Sequence, residues 1–135
     1  MALFTWDESL AVRIDKLDRQ HRHLISLVNG LHDAMKSGNV KEVIEPLLGK
    51  LIAYTQEHFD AEEVLMLAHK YPGFMEHKRE HNAFVAKVLE FQSQYKTGGV
   101  TLSLEIMQFL VDWVKDHIKV MDRRYGPYLN EMDVH

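Results

Sequence analysis

The positions one or two turns apart along this chain form four stripes, stepping by three and four residues. The first runs Leu17, His21, Leu24, Val28, Leu31 and Met35, and the second Leu47, Leu51, Tyr54, His58, Glu62 and Leu65. The third runs Phe74, His77, His81, Phe84, Val88, Phe91 and Tyr95, and the fourth Leu102, Ile106, Phe109, Trp113, His117 and Val120. That period matches the 3.6 residues of a helical turn, so helices are predicted over about 18–36, 40–68, 73–96 and 101–121. Breaks at Ser37-Gly38-Asn39, Tyr71-Pro72-Gly73 and Thr97-Gly98-Gly99 separate them, and Gly126-Pro127 marks a later turn.

Helices of this length joined by short connections predict an all-α fold, an up-down-up-down four-helix bundle. It is read as a single domain over 1–135, with an N-terminal arm (1–17), the bundle (18–121) and a C-terminal segment with a short helix (122–135). Asp18 is read as a helix start, Asn39 and Thr101 as N-caps. Pro46 removes a backbone donor, which predicts a kink in the second helix or a start near Glu45.

Composition narrows the chemistry. The net charge of −4 leaves no basic footprint, so no nucleic-acid partner is expected. The absence of cysteine excludes disulfides, thiolate metal sites, iron–sulfur clusters and thiol nucleophiles. No apolar run approaches the roughly 20 residues of a membrane span, so no membrane insertion is expected. The N-terminal residues lack the features of a secretory signal, and a cytoplasmic location is expected. No second apolar stripe is evident, so a monomer is expected. Nine histidines in 135 residues stand out, and with cysteine absent any transition-metal chemistry must use imidazole and carboxylate.

Ionisable groups occupy steps where a plain core would carry leucine. His21, His58, Glu62, His77, His81 and His117 lie on the inward stripes, with Asp122 just beyond. Burying such groups costs several kcal/mol each unless they are paired or bind metal. Their depth agrees as well. His21 and His58 lie 17 and 20 residues from Gly38, and His81 and His117 lie 17 and 19 from Gly98. At 1.5 Å per residue, antiparallel packing brings all four to one level, about 25–30 Å from the same end. His58 and Glu62, like His77 and His81, are four residues apart and share a helix face. His117 and Asp122 are five apart, which rotates the carboxylate away. A π-type turn between Ile118 and Asp122 is therefore predicted.

On assumed octahedral geometry for two metal ions, these five imidazoles, two bridging carboxylates and a shared oxo or hydroxo group leave one coordination position open. Such a site takes one small exogenous ligand. Donors of this type suit iron, manganese or zinc, and iron makes the vacancy useful because a ferrous pair can share two electrons with O2.

With these residues in view the chain resembles the hemerythrin family, in its single-domain bacterial form. The resemblance spans Thr5-Trp6-Asp7, Asp18-Arg19-Gln20-His21, the segment from His58 to Glu63, His77-Lys78-Arg79-Glu80-His81 and the segment from His117 to Asp122. It implies a cofactor of two iron ions with an oxo or hydroxo bridge, one held by His77, His81 and His117 and the other by His21 and His58. Glu62 and Asp122 would bridge. It implies reversible O2 binding at the open two-histidine iron, for storage, delivery or buffering, with no catalysis of its own and an O2-consuming enzyme as recipient. Trp113, Val114 and Ile118 flank His117 and resemble the residues walling the O2 pocket in the family, and Leu24 and Ile25 close it. Val114 is smaller than the Leu often found there.

The carriage reading also follows from the donor balance, since neutral imidazoles outnumber the anions and high-valent iron is less stabilised. The alternatives are a di-iron redox enzyme, such as a peroxidase or nitric-oxide-handling catalyst, and an O2 or iron sensor. Tyr125, one turn beyond Asp122, is read as packing there, with a hydrogen bond to that carboxylate as the alternative. Glu63 is expected to point outward, His23 and His32 to serve on the surface or in caps, and His69 and His135 to be solvated. Gln20 and Glu57, each next to a candidate ligand, receive no role.

Overall fold

The computed structural model describes residues 5–37, 40–96 and 104–135. Four long helices form the body: α1 (Asp15–Ser37), α2 (Val40–Ala68), α3 (Phe74–Lys96) and α4 (Leu104–Asp116). The last runs through a π-helical turn (His117–Asp122) into α5 (Arg123–Glu131). Among the described residues there is no strand. α1 packs on α2 and α4, and α2 on α3, giving the expected four-helix bundle. The turns at Gly38 and Gly98, the Asn39 and Thr101 caps, and stripe residue Leu102 lie outside the described residues, as do the side chains of Met35 and Ile106.

Two apolar clusters fill the interior. The larger includes Leu24, Val28, Leu31, Leu51, Phe59, Phe84, Leu110, Val114 and Ile118. The smaller gathers Val12, Ile14 and Leu17 with Met66, Tyr125 and Leu129. Each fully buried aliphatic side chain contributes about 1.5–3 kcal/mol. On α1 the chain passes from Leu17 in the smaller cluster through His21 to Leu24 in the larger. The same order holds on α2 in reverse, from Phe59 through Glu62 to Met66. The candidate ligands therefore form a polar layer between two dry ones.

Several local expectations are corrected. α1 begins at Asp15, and Asp18 turns back rather than starting the helix. Its carboxylate accepts from the backbone N–H of Val12 at 2.8 Å and of Arg13 at 3.2 Å, where Arg13 adopts a positive φ of 63°. That bend folds the N-terminal arm across the bundle. α2 starts at Val40 and continues through Pro46, so no start near Glu45 occurs. Its buried face is Leu48, Leu51, Ile52, Thr55, His58, Phe59, Glu62 and Met66, while Leu47, Tyr54 and Leu65 are half-buried. α2 touches both α1 and α3, and a helix with two neighbours buries a wider face than one stripe.

α2 ends in a Schellman closure. The Tyr71 and Lys70 N–H groups donate to the carbonyls of Met66 (2.9 Å) and Leu67 (3.2 Å), with Lys70 left-handed at φ 55°. Gly126 and Pro127 lie inside α5 and make no turn. A Cβ on Gly126 would stand 2.9 Å from the Val12 carbonyl oxygen, so glycine here permits the arm to press on α5. Asn130 fixes the same arm, donating to the Arg13 carbonyl at 3.1 Å.

Candidate metal centre

Five imidazoles and two carboxylates meet in the layer between the two apolar clusters. His21 comes from α1, His58 and Glu62 from α2, His77 and His81 from α3, His117 and Asp122 from the π-helical turn. All seven are essentially out of solvent. The turn explains how the last two share one centre. The Arg123 N–H reaches the Ile118 carbonyl five residues back, which inserts one extra residue into the helical turn. Asp122 is thereby carried inward beside His117, and Val120, expected on the inward stripe, is turned out and half exposed.

The side chains separate into two overlapping groups, each with ligand atoms mutually within 4.8 Å. One holds Glu62, His77, His81, His117 and Asp122, and the other His21, His58, Glu62 and Asp122. Only the two carboxylates belong to both. Asp122 Oδ1 lies 2.8 Å from His77 Nε2 and 3.0 Å from His117 Nε2, while its Oδ2 lies 3.0 Å from His21 Nε2. Glu62 Oε1 lies 3.3 Å from His58 Nε2 and 3.2 Å from His81 Nε2, and its Oε2 lies 3.7 Å from His21 Nε2. Every histidine thus presents Nε2 to the centre.

The residues fit a pair of cations. His21 Nε2, His77 Nε2, Glu62 Oε1 and both Asp122 oxygens are buried without a hydrogen-bond partner among the described residues, although other polar atoms stand within 4 Å. Each lies in a group whose ligand atoms are all within 4.8 Å of one another, a span that a cation could fill. His81 Nε2 and His117 Nε2 face each other at 3.1 Å, an arrangement natural for two lone pairs sharing a cation.

Electrostatics of the metal-free site point the same way. Burial opposes the charge on His21, but Asp122 and Glu62 override it and push the ring up to about 9. Burial also opposes ionisation of Glu62, yet His58, His21 and His81 hold its carboxyl well below the usual range. Asp122 is likewise depressed: burial and Glu62 work against its ionisation, and His117 and His21 outweigh them. Burial lowers His58. Two buried carboxylates in this layer stay ionised and call for positive charge, which protonated imidazole supplies in the absence of metal.

The outward ring nitrogens of His58, His81 and His117 meet residues that carry no periodic signal, while those of His21 and His77 have no hydrogen-bond partner among the described residues. Gln20 Oε1 accepts from His58 Nδ1 at 2.6 Å. Glu63 Oε2 accepts from His81 Nδ1 at 3.0 Å and its Oε1 from Lys78 Nζ at 2.8 Å, so Glu63 does not simply point outward. Glu80 Oε1 stands 3.4 Å from His117 Nδ1. Each arrives from a helix other than that of the ring it holds, which spacing along one helix cannot reveal. The Tyr125 hydroxyl does more than pack: it donates to Glu62 Oε2, across the bundle, and not to Asp122, the alternative read from the sequence. Of the peripheral histidines, His23 is exposed and packs on Tyr54, His32 is half-buried, His69, just past the end of α2, is half-buried with Nδ1 at the Leu65 carbonyl, and His135 is exposed.

An aromatic wall closes one side. Phe59 stacks on His81 with centroids 3.7 Å apart, Trp113 on His117 at 4.3 Å, and Phe84 on Trp113 at 4.0 Å. Above the two-histidine side lies a small cavity lined by His21, Leu24, Thr55, His58, Phe59, Phe84, Trp113, Val114, His117, Ile118 and Asp122. It offers about 10 Å³ to the centre of a water-sized sphere, room for about one such molecule. Of the residues singled out in the sequence, Leu24, Trp113, Val114 and Ile118 line this space, and Ile25 is buried in the core but does not line it. Thr55, Phe59 and Phe84 were not anticipated.

Fold and site together define a helical bundle with a buried two-compartment His/carboxylate centre sharing its acids. A family model described as "Hemerythrin HHE cation binding domain" matches residues 12–129, and the chain belongs to the hemerythrin family. It is 34% identical over 131 residues to the bacteriohemerythrin of Methylococcus capsulatus, covering 96% of this chain and 99% of that protein. It is 37% identical over 129 residues to the bacteriohemerythrin of Stenotrophomonas maltophilia, covering 93% and 81%. The myohemerythrin of Sipunculus nudus is 30% identical, with 90% of each chain covered. Its fold superposes on a wild-type hemerythrin crystal structure with a TM-score of 0.88 at 34% identity, over 93% of this chain and 97% of that one.

Proposed function

We propose that this chain binds O2 reversibly at a pair of iron ions, as a carrier, store or buffer and not as an enzyme. The observation that carries the reading is the sharing of Glu62 and Asp122 between two otherwise separate histidine sets, one of three rings and one of two. His77, His81 and His117 would hold one iron, His21 and His58 the other, and the carboxylates would bridge, together with an oxo or hydroxo group. When bound, the ferrous pair would supply the two electrons that O2 takes up and returns.

The chain's own residues do the rest. Gln20 and Glu63 accept hydrogen bonds from the Nδ1–H groups of His58 and His81 and so keep both Nε2 lone pairs inward. Tyr125 fixes the rotation of the Glu62 carboxylate. Phe59, Phe84, Trp113, Val114 and Ile118 exclude bulk water from the two-histidine side. Water and protons would favour loss of electrons to O2, so a dry lining supports release of the gas unchanged. The donor balance, five neutral rings to two acids, favours binding over O–O cleavage.

No described helix is long and apolar enough to cross a membrane. A monomer in the cytoplasm, passing O2 to a consuming enzyme, completes the proposal. Metal analysis with an optical spectrum tests it. Two irons per chain and a colour that appears with O2 and disappears on its removal are expected. Zero or one iron after iron-replete expression, or an irreversible bleach with peroxide turnover, overturns it.

A further inference from the structure

Thr55 is 3% exposed, and its hydroxyl has no hydrogen-bond partner among the described residues. A helical threonine ordinarily returns its Oγ1 to a carbonyl three or four residues back. Here it does not. A buried hydroxyl left alone costs about 1–3 kcal/mol relative to a bonded one. Valine has the same shape and would avoid that cost.

Its position supplies the reason. Thr55 lies one turn before His58 on the buried face of α2. It lines the small cavity above the two-histidine side. It also lines a neighbouring void whose other walls are Ile52, Phe84, Val85 and Val88, all apolar. In the first cavity His21, His58, His117 and Asp122 belong to the candidate metal centre, Trp113 brings an indole N–H, and the other lining residues apart from Thr55 are apolar. Thr55 is the one hydroxyl in that lining and is free to donate.

We propose that Thr55 is a specificity-determining residue of this pocket, donating a hydrogen bond from Oγ1 to a small ligand with an acceptor atom that occupies the cavity beside His21 and His58. The inference rests on the O2-binding reading for the ligand's presence. It goes further in assigning recognition to a side chain that holds no metal. Small anions such as azide, with terminal lone pairs, are favoured over neutral, weakly accepting gases by such a donor. The methyl group meanwhile keeps the upper wall apolar.

Thr55→Val and Thr55→Ser separate the hydroxyl from the methyl. In the iron-loaded, oxidised protein, azide titrated optically should bind Thr55→Val about three- to tenfold more weakly, the loss of one hydrogen bond. Thr55→Ser should stay within about twofold of the parent chain. In the metal-free protein, Thr55→Val should melt no lower than the parent, because the hydroxyl it removes has no structural partner. Unchanged azide affinity in Thr55→Val overturns the inference, as does equal weakening in Thr55→Ser, which would assign the effect to the methyl. A lowered melting temperature in metal-free Thr55→Val also overturns it, by showing a structural bond. If any of these occurs while the parent still takes up and releases O2, only the inference fails. A parent chain that binds neither O2 nor azide ends both readings.

Discussion

Glu63 and His81 lie 18 residues apart on neighbouring helices, and the carboxylate accepts the ring's Nδ1 proton at 3.0 Å while Lys78 steadies its other oxygen. The pair fixes which nitrogen of His81 is free, and so couples a half-buried surface acid to the interior. Glu63→Gln should leave the helical content unchanged and weaken metal binding by about 10–100-fold. Competition against a chelator of known affinity reads this directly; unchanged affinity would make the contact incidental.

Glu62 and Asp122 are the only residues common to both histidine sets. Replacing either with alanine should lower the metal content from two ions per chain to one or fewer. Two ions retained in both variants would rule out bridging.

Without metal, the pH dependence of folding follows from the site. His21 is pushed up to about 9 against an ordinary 6.5, and His117 is also raised by Asp122 once burial is overcome. Their contribution is complete below 6.5 and disappears as the pH climbs through the raised values. Glu62 and Asp122 are depressed, so theirs is present above the ordinary 4.5 and 3.8 and is lost as the pH falls. His58, lowered by burial, adds to the loss on the acid side. The metal-free chain should therefore resist denaturant best between about pH 5 and 6.5 and weaken toward pH 9. With metal the alkaline slope should reverse, since ligands bind only when deprotonated. Urea titrations of both forms at pH 6 and 9 test the contrast.

Val114 lines the small cavity and is buried. Val114→Leu adds a methylene to a space with room for about one small molecule. The O2 release rate should change by about tenfold on flash or stopped-flow measurement. An unaltered rate would place Val114 away from the ligand's path.

Gly126→Ala should destabilise the chain by about 1–3 kcal/mol, because its Cβ would meet the Val12 backbone oxygen and neither partner is a flexible side chain. Urea denaturation measures it; a neutral result would mean that the arm moves aside freely.

The helices and the seven polar residues were legible because each obeys a rule local to one segment. A histidine on an apolar stripe declares itself, and the five-residue gap between His117 and Asp122 announced the π-helical turn. Gln20, Glu63 and Glu80 were illegible because each acts on a ring from another helix, and on its own helix it looks like ordinary surface. Tyr125 was placed at the right depth with the wrong partner for the same reason. Thr55 lay hidden in a face of α2 that two neighbours widen beyond a single stripe. The half exposure of Val120 follows from the π-helical turn, once the extra residue is counted through.

That surplus residue also sets what lengths of chain this site tolerates. Deleting any one amino acid from 118–121 would restore a regular helix and swing everything after it by about 100°. Asp122 and Tyr125 would then leave Glu62 together, and α5 would lose its seat beneath the arm. Insertions and deletions there are all-or-nothing events, even where the substituted side chains themselves face water.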